Sequence, residues 1–248
     1  MKDAATAMPT AMDIKDMPDP MDMPSLKGKV SEEEWTLRCQ LAATYRLCAM
    51  HGWTDLVFTH ISARLPDEDG AERFLINPYG VMFDEMTASS LVKIDLEGKI
   101  CQDTPYNINP AGFTIHSAIH AARHDAGCVI NDRAYHDYEG IALELDERER
   151  IVNDLGDKSL LMLRNHGTLT LGPNCAIAFL RMYFLENACK TQVFAQAAGT
   201  ENLHEEDQAM ADTVQAQAGG AFTPGYGDNL IWPGLMRKLK RTNPGFDH

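Results

Sequence analysis

Short apolar runs of strand length alternate with capped helices along most of this chain, and that alternation admits one kind of solution, a sheet covered by helices. Ser31-Glu32-Glu33-Glu34 fits a capping box, in which the serine oxygen and a glutamate carboxylate satisfy the free N–H groups of a helix start. Trp35, Cys39, Ala42, Tyr45 and Ala49 then recur at helical spacing before Gly52, which predicts a first helix over roughly 32–51. Strand candidates follow at Leu56–Thr59, Ile61–Leu65, Arg73–Asn77 and Leu91–Asp95, and Leu96-Glu97-Gly98-Lys99 turns into a further edge strand. After Pro110 a helix over about 111–123 carries Ile115, Ala118, Ile119 and Ala122 as one stripe. Gly127–Ile130 reads as a strand, Asp146–Leu155 as a capped helix, and Leu160–Arg164 and Thr168–Leu171 as strands. Pro173 opens a long helix running to about Ala198; a polar helix near 202–217, a Gly/Pro-rich linker and a basic tail follow.

With 248 residues, 44% hydrophobic and 23% charged, the chain suits one large α/β domain with tails. The division expected is a disordered leader over 1–30, a domain over 31–200, and a C-terminal helix with an extended tail over 201–248. The leader is rich in Met, Pro and Asp and shows no apolar period. Lys and Arg number 22 against 36 Asp and Glu, a net charge of -14, the wrong sign for neutralising phosphates, so neither nucleic acid nor an anionic membrane surface is an expected partner. No apolar run approaches the roughly 20 residues of a spanning helix. Six singly scattered cysteines without a CxxC read as reduced thiols, and the chain as soluble and cytoplasmic. Trp232-Pro233-Gly234-Leu235-Met236 is apolar and follows the loose linker, so it is expected to reach toward a neighbouring subunit, carrying Arg237, Lys238, Lys240 and Arg241 with it.

Several histidines could do chemistry. His166, in Leu163-Arg164-Asn165-His166-Gly167, stands where an apolar strand ends, a common place for a metal ligand or acid/base group in α/β proteins. His116, His120 and His124 recur every four residues on one helix; two of them share a face and could chelate zinc, which needs a third protein ligand. Measured from the apolar stripe they rotate away by roughly 100° to 180°, so a solvated or capping role is the expectation. Tyr135-His136-Asp137-Tyr138-Glu139-Gly140 reads either as a strand with acid/base potential or as an exposed polar strand near a turn. Phosphate loops of the GxGxxG or P-loop kind and a Gly-x-Ser-x-Gly elbow are absent from the sequence.

Taken in order, Tyr45-Arg46-Leu47, His51-Gly52-Trp53, Phe58-Thr59-His60-Ile61-Ser62-Ala63-Arg64, Phe74-Leu75-Ile76-Asn77-Pro78-Tyr79-Gly80 and Ser89-Ser90-Leu91-Val92-Lys93 resemble the class II aldolase/adducin family. The stretch Asn109 to His120, Ala134 to Gly140, and Leu163 to Gly167 extend the resemblance over roughly residues 33 to 240. It is nearer to the adducin-like branch than to the sugar-phosphate aldolases. The resemblance implies a three-layer α/β/α sandwich with a mixed central sheet, a homotetramer, and an actin or cytoskeletal connection through the adducins. For catalytic members it implies a divalent metal, usually zinc, held by a His-x-His pair and the Asn-His-Gly histidine. It also implies a glutamate acid/base near the start of the central helix and a polar cluster for the substrate phosphate. The substrate would be a small carbonyl compound or sugar.

Against that scheme, Asn131-Asp132-Arg133 stands where the His-x-His pair is expected, and Gly112 where the glutamate is expected. His60, Tyr79 and Ala111 occupy phosphate-binding positions. His166 is the residual metal candidate, and the substrate-pocket candidates are His60, Ser62, Tyr79, Gly80, Gly112 and His116. The difference reads as a deletion, since family members carry a longer segment after the Cys128-Val129-Ile130 strand. A parallel crossover needs about a dozen residues, so Ile130 and Ala134 cannot lie on parallel neighbouring strands. The function expected is therefore an adducin-like assembly or binding module without the metal pair and acid/base; the alternative is a divalent-metal-dependent aldolase or epimerase.

Overall fold

The computed structural model describes residues 17–67, 70–131, 147–163, 167–204, 207–218 and 224–248. Helix α1 (Glu32–Met50) starts at Ser31, whose Oγ accepts from the Glu34 N–H at 3.2 Å, and the three glutamates of its first turn lie at the positive end of the helix dipole. Three short strands follow, β1 (His60–Arg64), β2 (Arg73–Ile76) and β3 (Val92–Asp95). Helix α2 (Pro110–Ala122) is capped by Asn109, whose side chain accepts from the Ala111 N–H at 3.0 Å, with proline in its first turn. Then come β4 (Cys128–Asn131), α3 (Glu147–Leu155), β5 (Leu160–Leu163), β6 (Gly167–Gly172) and the long α4 (Cys175–Gln196), followed by α5 (Gln208–Ala218) and α6 (Trp232–Thr242).

The six strands form one sheet in the order β3-β2-β1-β4-β6-β5. Every pairing in it is antiparallel, so the sheet is not mixed as expected. Alternation of strands and helices fixes the layers but not strand direction. Here β1, β2 and β3 fold back in sequence, and β4 returns from α2 to run opposite to both its neighbours.

Side-chain alternation along the strands assigns the two faces. Ile61, Ala63, Cys128 and Ile130 join a core with Leu41, Tyr45 and Cys48 of α1, Cys175 and Phe179 of α4, and Trp232 and Leu239 of α6. On the other face Val129, Leu169 and Leu171 pack with Ile115 and Ile119 of α2 and Ile151 and Leu155 of α3. The result is the three-layer α/β/α sandwich. At roughly 25 cal/mol for each Å² of apolar surface removed from water, these two cores supply the main driving force for folding.

Four expectations are revised. Leu56–Thr59 forms turns rather than a strand, and Ile100 contributes a single bridge to Ile94 in place of an edge strand. Residues 17–30 of the expected disordered leader dock on the body: Tyr106 donates to the Pro18 carbonyl at 3.0 Å, the Leu26 N–H donates to Ser89 Oγ at 3.1 Å, and Met17 and Met23 pack on the core. The C-terminal segment packs on its own subunit, with Leu239 fully buried and Trp232 against Phe179 at 6.5 Å between ring centroids. Arg46 explains that docking, because its guanidinium reaches the Met86 carbonyl at 2.7 Å and Asn243 Oδ1 and the Pro244 carbonyl at 2.6 Å each. None of the six cysteines is joined in a disulfide, and Cys48, Cys128 and Cys175 are buried.

Candidate functional site

Strand register gathers the chemistry-bearing residues at one edge of the sheet. His60, the first residue of β1, stands opposite Asn131, the last of β4; Asn131 stands opposite Leu169, and Leu163 at the end of β5 stands opposite Gly167 at the start of β6. Asn77 leaves β2 at the same edge, since Ile76 pairs with Ser62.

Within the layers behind that edge lies a buried polar cluster. His60, Ser62 and Arg64 alternate on the face of β1 that α2 covers. Ser62 Oγ sits between two imidazoles of α2, 2.6 Å from His116 Nδ1 and 2.8 Å from His120 Nε2. All three residues are fully buried. His60 Nδ1 lies 3.1 Å from Asn77 Oδ1, and the His60 and His116 rings stand edge to face with centroids 6.3 Å apart. Tyr45 anchors the arrangement from α1: its hydroxyl accepts from the Ile61 N–H at 2.9 Å and the Asn77 N–H at 3.0 Å, and it also contacts the Ile61 carbonyl. Burial holds the His60 imidazole down at about 4 and that of His120 at about 3, and it pushes His116 well below the ordinary range. All three rings are thus neutral at pH 7.

Gly112, on the first turn of α2, makes room for His60. A Cβ there would lie 2.4 Å from His60 Cδ2, 2.6 Å from Cγ and 2.8 Å from Nε2. The imidazole fills the space that a side chain at residue 112 would claim.

Of the pocket candidates, His60, Ser62, Gly112 and His116 come together. Tyr79 and Gly80 lie in the loop after β2, where the Tyr79 N–H donates to the Asn107 carbonyl at 2.8 Å and Gly80 takes φ +100°. His166, Asp132-Arg133 and the Tyr135 to Gly140 stretch lie outside the described residues. The expectation that His116 and His120 face solvent is corrected, since α2 packs on the sheet with one side and on α3 with the other. Its buried arc is therefore wider than its apolar stripe. His124, by contrast, is 73% exposed and pairs with Glu72. Sequence reasoning missed Tyr45, Asn77 and His120 as members of the cluster. The signal for Asn77 was its place at a strand end before Pro78.

Among the described residues no three His, Cys, Asp or Glu side chains stand together to hold a metal ion. Ser62 occupies one nitrogen each of His116 and His120, and no thiolate or carboxylate joins the described cluster. These residues do not fit a three-ligand zinc site.

Comparison with known proteins places this geometry in a family. The profile of the "Class II Aldolase and Adducin N-terminal domain" matches residues 39–131 and 130–193. A protein of Caulobacter vibrioides named "Putative aldolase class 2 protein" is 53% identical over 250 aligned positions that take in 90% of this chain and 96% of that protein. Alpha-adducin of Mus musculus is 41% identical over 80% of this chain, which spans 31% of that longer protein. Among solved structures, an aldolase II superfamily protein from Pseudomonas syringae superposes with a TM-score of 0.82 at 44% identity, over 91% of this chain and 100% of the other. An L-fuculose 1-phosphate aldolase from Glaciozyma antarctica PI12 shares the fold, with a TM-score of 0.72 at 23% identity over 90% of this chain and 97% of the other. The chain belongs to the class II aldolase and adducin N-terminal domain family.

Proposed function

We propose that this chain acts as a binding and assembly module built on the class II aldolase frame, and not as a metal-dependent lyase. The observation that carries the reading is the His60 imidazole lodged against Gly112, which leaves no room for a carboxylate on that turn of α2. The short Asn131-Asp132-Arg133 stretch supports it, since it offers no imidazole pair. So does the break in the family match at residues 130–131, together with an alignment of 250 positions that takes in only 90% of a 248-residue chain. Residues that the Caulobacter relative carries have no counterpart here. The adducin similarity supports assembly, and a connection to the cytoskeleton belongs to the same proposal.

Phe184, Val193 and Phe194 of α4 and Met210 and Val214 of α5 are exposed, an apolar surface of the kind that subunits cover in a homo-oligomer, for which a tetramer is the proposed form. Six cysteines with no disulfide among them support a reducing, cytoplasmic setting. Among the described residues no helix is long and apolar enough to cross a membrane.

The test pairs light scattering with an assay for cleavage of small hydroxy-carbonyl compounds in the presence of zinc. A homo-oligomer without metal-dependent cleavage is the expected result. Zinc-dependent turnover would establish the second reading, a divalent-metal-dependent aldolase or epimerase acting on a small sugar, sugar phosphate or hydroxy-carbonyl compound. The name and 96% coverage of the Caulobacter relative favour that second reading.

A further inference from the structure

Two exposed surfaces of this chain carry opposite charge, most of it unpaired among the described residues. The first is α6. Arg237, Lys238, Lys240 and Arg241 are all exposed, and at about 100° per residue they share one arc of about 160°, opposite the buried Trp232 and Leu239. No carboxylate occurs on the helix. Lys240 lies 3.6 Å from Asp247, whereas Arg237, Lys238 and Arg241 pair with no carboxylate among the described residues. The helix dipole accounts for Lys240 and Arg241 in the last turn. It does not account for Arg237 and Lys238, and Arg237 stands four residues from Arg241, where like charges repel.

The second surface is a groove of about 530 Å³ between the start of α1 and the Arg64 end of β1, the end of that strand away from His60. Leu37, Leu65, Pro66 and Gly127 give it an apolar wall. Glu32 and Glu33 stand at its lip, exposed and without a cation partner among the described residues. Arg64 also lines it, but its guanidinium is already met by Glu72 at 2.9 Å and by the His120 carbonyl. The groove is therefore negative, and Asp67, next after Pro66, is exposed as well. The two surfaces adjoin on α1: Lys27, Lys240 and Asp247 act on the Cys39 thiol, and Cys39 is two positions along from Leu37 of the groove. Adjoining patches of opposite sign are self-complementary, because about a two-fold axis each copy presents its basic stripe to the other's groove.

We propose that a second copy of this chain docks here, with Arg237, Lys238 and Arg241 of one copy entering the acidic α1 groove of the other. Long cationic side chains suit such a groove, since their methylene stems lie along an apolar wall while the charged heads reach carboxylates at the lip. At a net charge of -14 two copies repel each other at a distance, so the stripe supplies the local attraction that fixes the register in which they meet. A nucleic acid or an anionic membrane fits less well, because the four cations span only five residues, roughly 6 Å of helix, on a body that repels polyanions. This contact deepens the assembly part of the proposed function and is separate from the apolar surface of α4 and α5.

Light scattering and sedimentation on the full chain test it. Wild-type association should weaken about tenfold between about 0.1 M and about 1 M salt, as the screening length falls from about 10 Å to about 3 Å. Glu32→Lys with Glu33→Lys should weaken it by about tenfold or more at low salt, as should Arg237→Glu with Arg241→Glu, and an equimolar mixture of the two variants should recover it. Asp67→Lys and Lys238→Glu, which alter neither a helix cap nor a buried contact, should act in the same directions and recover when mixed, so the result does not hang on the double variants folding. Salt-insensitive association, variants that associate like wild type, or mixtures of folded variants that stay apart would overturn the proposal. So would phosphatidylserine vesicles that bind wild type, but not the Arg237/Arg241 variant, in the absence of self-association. Phe194→Glu separates the two contacts: it should leave the salt-dependent step in place, and a charge swap that fails while Phe194→Glu dissociates the oligomer would sink this contact alone.

Discussion

The ring of His60 and the missing side chain of Gly112 are complementary: a Cβ on residue 112 would come within 2.4 Å of His60 Cδ2. The ring is held in place from the other side by Asn77, at 3.1 Å from Nδ1, so it cannot swing aside without breaking a buried hydrogen bond.

That relationship sets the sign of a substitution. Glycine to alanine inside a helix ordinarily stabilises by roughly 0.5–1 kcal/mol, whereas overpacking a buried site costs about 1–3 kcal/mol. Gly112→Ala should therefore lose about 1–2 kcal/mol in urea denaturation, and should turn neutral or stabilising in a His60→Ser background. Equal effects in the two backgrounds would mean that the contact is not responsible.

The neutral imidazoles make stability depend on pH. Their folded values are depressed, to about 4 for His60 and about 3 for His120, below the roughly 6.5 of an unfolded histidine. Between those values the unfolded chain binds more protons, so stability falls as pH drops below about 6.5. For His60 the loss is on the order of 3 kcal/mol once pH reaches its folded value. Denaturation from pH 7 to 4.5 should show this slope, and His60→Gln should flatten it; an unchanged slope in that variant would assign the effect elsewhere.

How much of this was legible in the sequence differs between fold and site. Ser31, Asn109 and Pro110 marked their helix starts because capping is local chemistry, and the Ile115/Ile119 stripe marked a buried face. The burial of His116 and His120 was not legible, because it depends on a second layer packing against the same helix. The tie between His60 and Gly112 joins residues 52 positions apart, and no local pattern reports such a contact. Strand direction escaped for the same reason, being set by pairings between distant segments.

Arg46 fastens the C-terminal segment. Three of its contacts go to Met86, Asn243 and Pro244, and hydrogen bonds from a charged donor are worth about 1.5–3 kcal/mol each when a partner is lost. Arg46→Ala should lower stability by about 2–4 kcal/mol and open residues 224–248 to proteolysis ahead of the body. Digestion at the wild-type rate would show that Trp232 and Leu239 hold the segment by themselves.

The exposed aromatic run on α4 predicts assembly. Phe194 is 76% exposed and Val193 64%, and removing such side chains from water contributes roughly 1.5–3 kcal/mol each. Light scattering should find an oligomer, and Phe194→Glu should shift it toward smaller species. A wild-type monomer would contradict the assembly reading.

Zinc titration by calorimetry on the chelator-treated full chain bears most directly on the reading of this protein as a module without the family's metal chemistry. The prediction is no binding tighter than about 1 μM, because a stable zinc site needs at least three protein ligands. Stoichiometric binding below that concentration, abolished by His166→Ala, would contradict it.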